Sequence, residues 1–367
     1  MPPAYGNRRR QSLRDTFARI LRRAAEWPAD AVLIAGDLFE HERVSRDTVA
    51  FLRQAFESVR PIPIFIAPGN HDPWMPSSPY ATEPWPANVF IFNRAEWTDY
   101  ALKNLPLTVH GFAFDGPDIS RNPFGQLLVP RDGRVHVAVA HGSERNRQPA
   151  GKTAYAPFDA RLAAPDGLTY LALGHFHRVT RIEGDFTAHV YYSGAPEGHG
   201  FDETGPHYYL EVEIDPEPRQ VRVTPMPSSQ TCYEVRTVDC TDFASAQDLV
   251  DAFRALANGD GAAKVLRVRL TGWCAPALAT AIENVHDVVA GAFEFLELIN
   301  ETQPEEDYAE LSREDTSLGE FIRQMETAIH AAPDERIRRM LNRAREAGLA
   351  AYRDQELPIR GTTPEGG

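Results

Sequence analysis

Four short segments of this chain carry Asp, Asn and His side chains, the residue types through which proteins bind transition-metal ions. They are residues 36–40 (Gly-Asp-Leu-Phe-Glu), 69–72 (Gly-Asn-His-Asp), 140–142 (Ala-His-Gly) and 174–177 (Gly-His-Phe-His). Carboxylate, amide oxygen and imidazole together suit Mn, Fe or Zn better than a purely oxygen-binding Mg site. Two such ions, roughly 3.5–4 Å apart, hold the attacking and leaving oxygens of an in-line displacement and acidify bound water. The residue types therefore predict a centre with two divalent metal ions.

Each segment follows an apolar run that is typical of a buried strand. These runs are residues 31–35, 62–67, 135–140 and 169–173. In an open α/β sheet, ligands gather beyond the carboxyl ends of the strands, which would bring the four segments together. Taken singly, Asp37 is explained as well by a cap, Asn70 by a turn and His141 by a buried core histidine. The four together favour a metal site over these structural explanations.

One helical pattern precedes the first of these runs, and a second lies between the first run and the next. Apolar residues at positions 13, 17, 20, 21 and 24 share one helical face, and those at 49, 52, 56 and 59 share another. The helices are predicted to end before the prolines at 28 and 61. This alternation of helix and strand predicts an α/β core. After residue 190 the strands follow one another with little helix between them, which predicts that the sheet becomes antiparallel.

The remainder of the chain predicts two further regions. The Pro-Met-Pro-Ser-Ser run at 225–229 has the composition of a linker, so residues 1–225 are predicted to form the first domain. Residues 226–302 alternate strand and helix patterns and are expected to form a small α+β capping domain. Residues 303–367 are expected to form an acidic connector and C-terminal helices, followed by a disordered tail at 361–367.

The bulk composition is that of an ordinary globular protein, with 43% hydrophobic and 25% charged residues. The formal charge of −14 argues against attraction of the whole molecule to nucleic acid or to an anionic membrane. The three cysteines, Cys232, Cys240 and Cys274, form no zinc-type pair and suit reduced thiols in a cytoplasmic protein. The apolar runs are strand-sized, so no membrane association is predicted.

The order Gly-Asp, Gly-Asn-His-Asp, His-Gly and Gly-His-x-His resembles the calcineurin-like metallophosphoesterase superfamily over residues 31–214. The resemblance implies a four-layer α-β-β-α sandwich and two divalent ions, with Mn favoured and Fe, Zn or Mg as alternatives. It implies that Asp37 bridges the two ions. Asn70, His141 and His175 would complete the shell of the second ion, and His177 would bind the first.

The same resemblance assigns a catalytic role to His71. This histidine would contact the phosphate or protonate the leaving oxygen, a general-acid contribution of about 10²–10⁴-fold. Glu40 is expected to orient His71, although an ordinary surface carboxylate near the site is an equally good interpretation.

The family also carries an Asp-x-His on its opening strand, and no Asp-x-His precedes Asp37 in this chain. The shell of the first ion is therefore expected to be incomplete. One explanation is that in-frame codons upstream of Met1 encode an apolar strand that ends in Asp-x-His. The other is a non-catalytic scaffold subunit that keeps the fold and one ion. The persistence of the other site residues favours the first explanation.

Within the superfamily, two segments resemble the DNA-repair exonuclease branch of the Mre11 and SbcD type, and its YhaO-like subgroup. Residues 33–40 are close to that branch's Gly-Asp-Leu-Phe-Asp segment, with Glu40 in place of Asp, and residues 192–205 resemble its closing hairpin. The resemblance implies a nuclease that acts on DNA, with a Rad50/SbcC-type coiled-coil ATPase as partner. A homodimer is a further expectation.

Basic side chains near the third segment are candidate DNA contacts. Residues 141–161 contain four basic and two acidic side chains, and the candidates are Arg145, Arg147 and Lys152. An ordinary mixed surface loop explains them equally well. The arginine-rich terminal helix is open to three interpretations: a solvated face, a nucleic-acid contact or a docking helix. The alternative function is a phosphoesterase of the same superfamily that acts on a nucleotide or another small ester.

Overall fold

The structure, a computed structural model, describes residues 3–119, 122–148, 153–217, 220–257, 263–274, 276–304 and 306–352. Lys152 and the tail at 361–367 lie outside these residues. The chain divides into two compact units. The first comprises Met1–Val238, Val250–Leu270 and Val285–Asn300, and the second comprises Asp239–Leu249, Thr271–Asn284 and Glu301–Gly367. The domain limits predicted at residues 225 and 302 stay predictions.

The first unit contains a three-stranded parallel sheet with helices on one face. Its strands are β1 (Val32–Ile34), β2 (Ile64–Ile66) and β3 (Val89–Ile91), and the helices are α1 (Pro3–Glu26), α2 (Arg46–Glu57) and α3 (Pro79–Thr82). Ile64 and Ile66 pack against Phe56 of α2, and all three are fully buried. Burial of each such side chain stabilises the fold by about 1.5–3 kcal/mol. Helix α2 starts after Ser45, whose hydroxyl accepts the Thr48 N–H.

A second sheet in the same unit has six strands. They are β4 (Thr98–Ala101), β5 (Leu107–Gly111), β6 (Val135–His141), β7 (Tyr170–Gly174), β8 (Thr180–Ile182) and β9 (His189–Tyr192). Their order is β4-β5-β6-β7-β9-β8, with the four central strands parallel and the two edge strands antiparallel. Strand β6 is buried along its whole length, as expected for an interior strand covered on both faces.

The two sheets share one hydrophobic core. Val137 of β6 packs against Phe65 of β2, whereas its neighbour Ala138 faces the opposite side of the sheet. On that opposite side, the four-residue helix α4 (Ala160–Ala163) and loop residues such as Phe158 cover the sheet. The layers are therefore helix, sheet, sheet, and a short helix with loops. The predicted α/β fold is confirmed.

An antiparallel hairpin of β10 (Tyr208–Ile214) and β11 (Val221–Pro227) follows. The linker predicted at 225–229 is wrong for its first three residues, because Pro225 lies opposite Leu210 and Pro227 lies opposite Tyr208. Proline has no N–H to donate and is tolerated in edge strands. Both strands of a two-stranded hairpin are edge strands, which is why the proline run continues the strand instead of ending it.

The remaining elements alternate strand and helix and then become helical. In chain order they are β12 (Thr231–Asp239), α5 (Ala246–Ala257), β13 (Ala263–Thr271), β14 (Trp273–Cys274), α6 (Pro276–Val289), β15 (Phe295–Asn300), β16 (Gln303–Pro304), α7 (Tyr308–Leu311), α8 (Ser317–His330) and α9 (Glu335–Tyr352). Strands β12, β13 and β15 form one sheet, and β14 pairs with β16. Among the helices that the structure describes, none has the length and apolar character required to cross a membrane.

Candidate metal centre

Asp37 lies just beyond β1, where two consecutive residues adopt left-handed backbone conformations. The φ angle is +85° at Gly36 and +54° at Asp37. A Cβ on Gly36 would lie 2.7 Å from the backbone nitrogen of Gly69 and 2.7 Å from Nδ1 of His141, so glycine is required for this close approach. Positive φ at a non-glycine residue costs on the order of 1–3 kcal/mol and is held only by the surrounding structure. The turn directs the Asp37 carboxylate toward His141.

The buried carboxylate of Asp72 holds the loops after β1 and β2 together. Its Oδ1 accepts the N–H of Asp37 at 2.9 Å and that of Gly69 at 2.6 Å. Its Oδ2 accepts the Leu38 N–H at 2.7 Å and the Tyr80 hydroxyl at 2.6 Å. Burial, and then the charge of Asp37, raise the pKa of Asp72 to about 6. Sequence reasoning assigned no role to Asp72, although its place at the end of the Gly-Asn-His-Asp segment was the available signal.

Two predicted ligands, Asn70 and Asp37, lie close to one nitrogen atom of a third, His141. Nε2 of His141 lies 3.0 Å from Oδ1 of Asn70 and 3.2 Å from Oδ2 of Asp37. Nδ1 of His141 donates to the carbonyl oxygen of Ala35 at 2.8 Å, since a carbonyl only accepts. One ligand atom each from Asp37, His141 and His175 lies within 4.8 Å of the others. A histidine held through Nδ1 by a carbonyl, with Nε2 facing two oxygens, is the arrangement found around bound divalent cations.

The charges at this group suit a cation. Burial would raise the pKa of Asp37, but the charge and hydrogen bond of His141 lower it to about 2. Burial would lower the pKa of His141, but Asp37 raises it above its ordinary value. Burial and the neighbouring His141 lower the pKa of His175 to about 4. Asp37 is therefore ionised and His175 neutral at neutral pH, and a cation that binds here replaces a proton shared by His141 and Asp37.

The end of β7 brings His175 to the same place. A Cβ on Gly174 would lie 1.8 Å from the carbonyl oxygen of Ala35, so the strand ends approach as closely as backbone allows. His175 itself has a φ of +110°, a second non-glycine residue in the left-handed region at this centre. Its ring lies 5.3 Å from the ring of His141 and 5.7 Å from that of Tyr155. Both strained residues belong to the predicted ligand set, as expected where backbone strain serves a site.

His71 lies at the open side of the group, beside Asp37. Its backbone N–H donates to Oδ1 of Asp37 at 3.0 Å, and its ring Nδ1 lies 3.0 Å from Oε1 of Glu40. The side chains of His71 and Glu40 are 52% and 63% exposed. The structure thus brings Glu40 into contact with His71 at the rim of the site, where both reach solvent.

His177 lies with a different set of neighbours. Its Nδ1 lies 2.5 Å from Oε1 of Glu203, and His199 completes a second group whose ligand atoms lie within 4.8 Å of one another. The hydrogen bond to Glu203 raises the pKa of His177. Burial would raise the pKa of Glu203, but its bonds from His177 and from the His199 N–H lower it to about 2. Sequence reasoning missed a site role for Glu203 and His199, both of which lie in a loop without strand or helix periodicity.

The candidate DNA contacts lie in the loop after β6. A 3-10 helix, Arg145–Arg147, carries both arginines in exposed positions. The guanidinium of Arg147 donates to the carbonyl oxygen of Arg181 at 3.3 Å, which links this loop to β8. Contacts of these two side chains with DNA stay a prediction.

The fold and the donor groups agree with the comparison of this sequence with protein families. Residues 9–179 match the calcineurin-like phosphoesterase family. Residues 9–179 therefore form a calcineurin-like metallophosphoesterase domain, as the order of the four segments predicted. The family is metal-dependent and its domain is that of a hydrolase, and two groups of donors suited to metal ions are present in this structure.

Two curated proteins are similar over longer stretches. The uncharacterized metallophosphoesterase YhaO of Bacillus subtilis (strain 168) is 27% identical over 308 residues, which cover 80% of this chain and 71% of that protein. The DNA double-strand break repair protein Mre11 of Methanopyrus kandleri is 24% identical over 233 residues, which cover 56% of this chain and 50% of that protein. The similarity to YhaO therefore extends beyond the phosphoesterase domain, whereas the similarity to Mre11 spans half of that protein.

Proposed function

We propose that this chain is a metal-dependent phosphodiesterase that hydrolyses DNA, as the nuclease subunit of a DNA-repair complex. The observation that carries the proposal is the convergence of Asp37, Asn70 and His141, whose ligand atoms approach to 3.0–3.2 Å beside His71. Divalent ions at this centre, with Mn favoured, supply charge neutralisation at the phosphate and an acidified water. Proton donation to the leaving oxygen is assigned to side chains of the protein.

His71 is the proposed proton donor to the leaving oxygen. Its position is set by the bond from its backbone N–H to Asp37, so it stays fixed relative to the donor group. The Glu40 carboxylate accepts the Nδ1–H of His71 and stabilises the charged ring, which leaves Nε2–H to donate. The proton moves from Nε2 to the oxygen that leaves phosphorus, and Glu40 positions the ring.

DNA is the favoured substrate because the rim of the site is open and one named relative is a DNA double-strand break repair protein. More than half of His71 and of Glu40 is exposed, and a polymer backbone can reach such a rim. Arg145 and Arg147 would contact neighbouring phosphates. The second candidate is a small-ester phosphoesterase, which the charge of −14 favours because it weakens long-range attraction to DNA.

The expected partners and location form part of the same proposal. A coiled-coil ATPase of the Rad50/SbcC type would bind the arginine-rich helix α9, whose sequence has an apolar strip at 337, 341 and 344. A homodimer would bring two such centres to one DNA. Reduced thiols at Cys232, Cys240 and Cys274 would suit action in the cytoplasm.

The test compares hydrolysis of linear duplex DNA with that of bis-p-nitrophenyl phosphate, each in Mn²⁺. We expect the purified chain to hydrolyse both compounds and His141→Ala to lose at least about 10²-fold in rate. Loss of a residue that only hydrogen-bonds to a metal ligand costs about 10–100-fold, and loss of a direct ligand should cost at least as much. The control is His330→Ala, since His330 is a highly exposed histidine on α8.

Three outcomes decide between the alternatives. Hydrolysis of the small ester alone would overturn DNA as substrate. Hydrolysis of neither compound by metal-loaded protein would overturn the phosphodiesterase and favour the scaffold. Equal rates for His141→Ala and the native chain would show that the hydrolysis comes from a contaminant.

A further inference from the structure

We propose that His177, His199 and Glu203 form a second cation position, in which His199 and Glu203 act as direct ligands of a divalent transition metal. The proposal rests on the proposed function, since this ion would be the second of the hydrolytic pair. It differs from the expectation drawn from the family, in which His177 is joined by an Asp-x-His on an opening strand. The proposal concerns His199 and Glu203, which both lie in the loop that follows β9.

The geometry of the three side chains matches a cation site with one open position. Oε1 of Glu203 lies 2.5 Å from Nδ1 of His177 and 3.7 Å from Nδ1 of His199. The centroids of the two imidazole rings are 5.5 Å apart, and the ring planes are nearly perpendicular. Two imidazoles and one carboxylate are the three protein ligands of many catalytic zinc sites, which leave a fourth position for water or substrate.

The loop is built so that Glu203 is held in place without a metal. Its Oε2 accepts the backbone N–H of His199 at 2.9 Å. The ring of His207 lies between two carbonyl oxygens, with Nε2 at 3.1 Å from that of Glu203 and Nδ1 at 2.9 Å from that of Ala195. The N–H of Ala195 in turn donates to the His177 carbonyl oxygen at 3.0 Å. The segments that carry the three donors are therefore linked through Ala195 and the His207 ring.

Two further contacts attach this loop to α1. Arg9 donates to the carbonyl oxygen of Gly198 and pairs with the buried Glu197 at 3.1 Å. The side chain of Glu203 is only 14% exposed, whereas those of His177 and His199 are 41% and 56% exposed. A largely buried carboxylate between two solvent-facing imidazoles leaves a side open for an ion to enter. Such preorganisation lowers the ordering cost of binding.

A different role for Glu203 would also explain part of this geometry. Glu203 could act only through His177, as the carboxylate that orients a metal-binding histidine, and His199 would then be a neighbour without a role. The two arrangements differ at His199, because only the direct site uses its imidazole. The backbone N–H of His199 that holds Glu203 remains in an alanine variant, so His199→Ala removes the ring and leaves the loop bond in place.

The experiment counts metal ions on the full chain after equilibrium dialysis against Zn²⁺ or Mn²⁺, by mass spectrometry of the metal. The native chain is expected to hold two ions, and His199→Ala and Glu203→Gln one ion each. Co²⁺ loading provides a second readout, because the visible absorption of the ion at this position should disappear in both variants. The controls are Asp202→Asn, the exposed acid next to Glu203, and His330→Ala; both should keep two ions.

The proposal is overturned if His199→Ala binds two ions as tightly as the native chain, or if the native chain binds only one. It is supported if His199→Ala lowers the affinity of one ion by more than 100-fold while His141→Ala removes the other. Neither result depends on turnover. If the native chain binds two ions but hydrolyses neither substrate, only the proposed function is overturned. If the native chain and His199→Ala both hydrolyse the substrates and each binds one ion, only the second cation position is overturned. His199 is an exposed loop residue, so a folding failure of Glu203→Gln leaves the decisive variant intact.

Discussion

The two donor groups of this protein are built in opposite ways. Asp37, His141 and His175 lie at strand ends; the side chain of His141 is completely buried, and that of Asp37 is 20% exposed. His177 and His199 are 41% and 56% exposed and depend on loop residues. The strand-end group is fixed by the Asp72 carboxylate and by close glycine contacts, which hold its strained backbone. The loop group is fixed by hydrogen bonds of Glu203, His207 and Arg9. Substitutions in the first should therefore cost stability, and substitutions in the second should cost mainly ion binding.

The largest expected effect comes from Gly174→Ala. The added Cβ would meet the Ala35 carbonyl oxygen at 1.8 Å, and backbone on both sides prevents relief. We expect a loss of about 3 kcal/mol or more in the free energy of unfolding of the metal-free protein, measured by urea titration. The control is Gly291→Ala, where no atom lies within 4 Å of the added Cβ and the change should stay below about 0.5 kcal/mol. Native-like stability of Gly174→Ala would show that the backbone of the strand-end group can shift and is not rigidly held.

Asp72→Asn should have the next largest effect. The amide offers a single acceptor oxygen where the carboxylate now serves four donors, so we expect a loss of about 2–3 kcal/mol. The affinity of the ion at Asp37 should fall about 10–100-fold, while the ion at His177 keeps its affinity. Unfolding by urea and metal titration measure the two effects, with the exposed Asp185→Asn as control. An equal loss of affinity for both ions would show that Asp72 supports the two donor groups alike.

The loop group should show its effect in the pH dependence of stability without metal. The folded-state pKa of Glu203, about 2, lies below its ordinary value, so its contribution is present above that value and is lost as the pH falls toward 2. It also weakens at high pH, once His177 loses its proton. Glu203→Gln should thus be less stable than the native chain by about 1–2 kcal/mol near pH 5.5, with the difference vanishing near pH 2. Urea titrations in EDTA at both pH values test this, and Asp202→Asn should show no such dependence.

The smallest effect is expected at the rim of the site. Glu40→Gln should leave the free energy of unfolding within about 0.5 kcal/mol, because Glu40 and His71 are both well exposed. Hydrolysis of bis-p-nitrophenyl phosphate should slow by about 10-fold, since the neutral amide stabilises a charged His71 less well. Glu42→Gln, an exposed neighbour, is the matched control. An unchanged rate would identify Glu40 as an ordinary surface carboxylate.

Much of the fold was predictable because buried strands and amphipathic helices leave strong periodic patterns. The apolar runs before Asp37, Asn70, His141 and His175 overlap strands β1, β2, β6 and β7, in that order. Parallel strands present their carboxyl ends at one edge, so the proximity of these side chains followed from the topology. The α/β fold is confirmed, and so is the calcineurin-like domain over residues 9–179.

The remainder lacked such a signal. Strands β4 and β8 were missed because they have three or four residues and mixed polarity, which short edge strands share with loops. The role of Asp72 depends on four donors from three separate segments, and no local pattern reports that. His199 and Glu203 lie in an irregular loop, where only the folded backbone sets which side chains meet. Chemistry at strand ends is visible in sequence, and chemistry held by tertiary hydrogen bonds is not.

The buried Asp72 carboxylate has a consequence for the kinetics of metal uptake. Because it already fixes the N–H groups of Asp37 and Gly69, the strand-end donors are ordered before any ion arrives. Capture of an ion then requires no rearrangement of the chain, and its rate is set by how fast the ion sheds its own water. Protein stripped with a chelator should accordingly reload this position in one fast phase, at a rate that changes with the metal and not with the viscosity of the solvent.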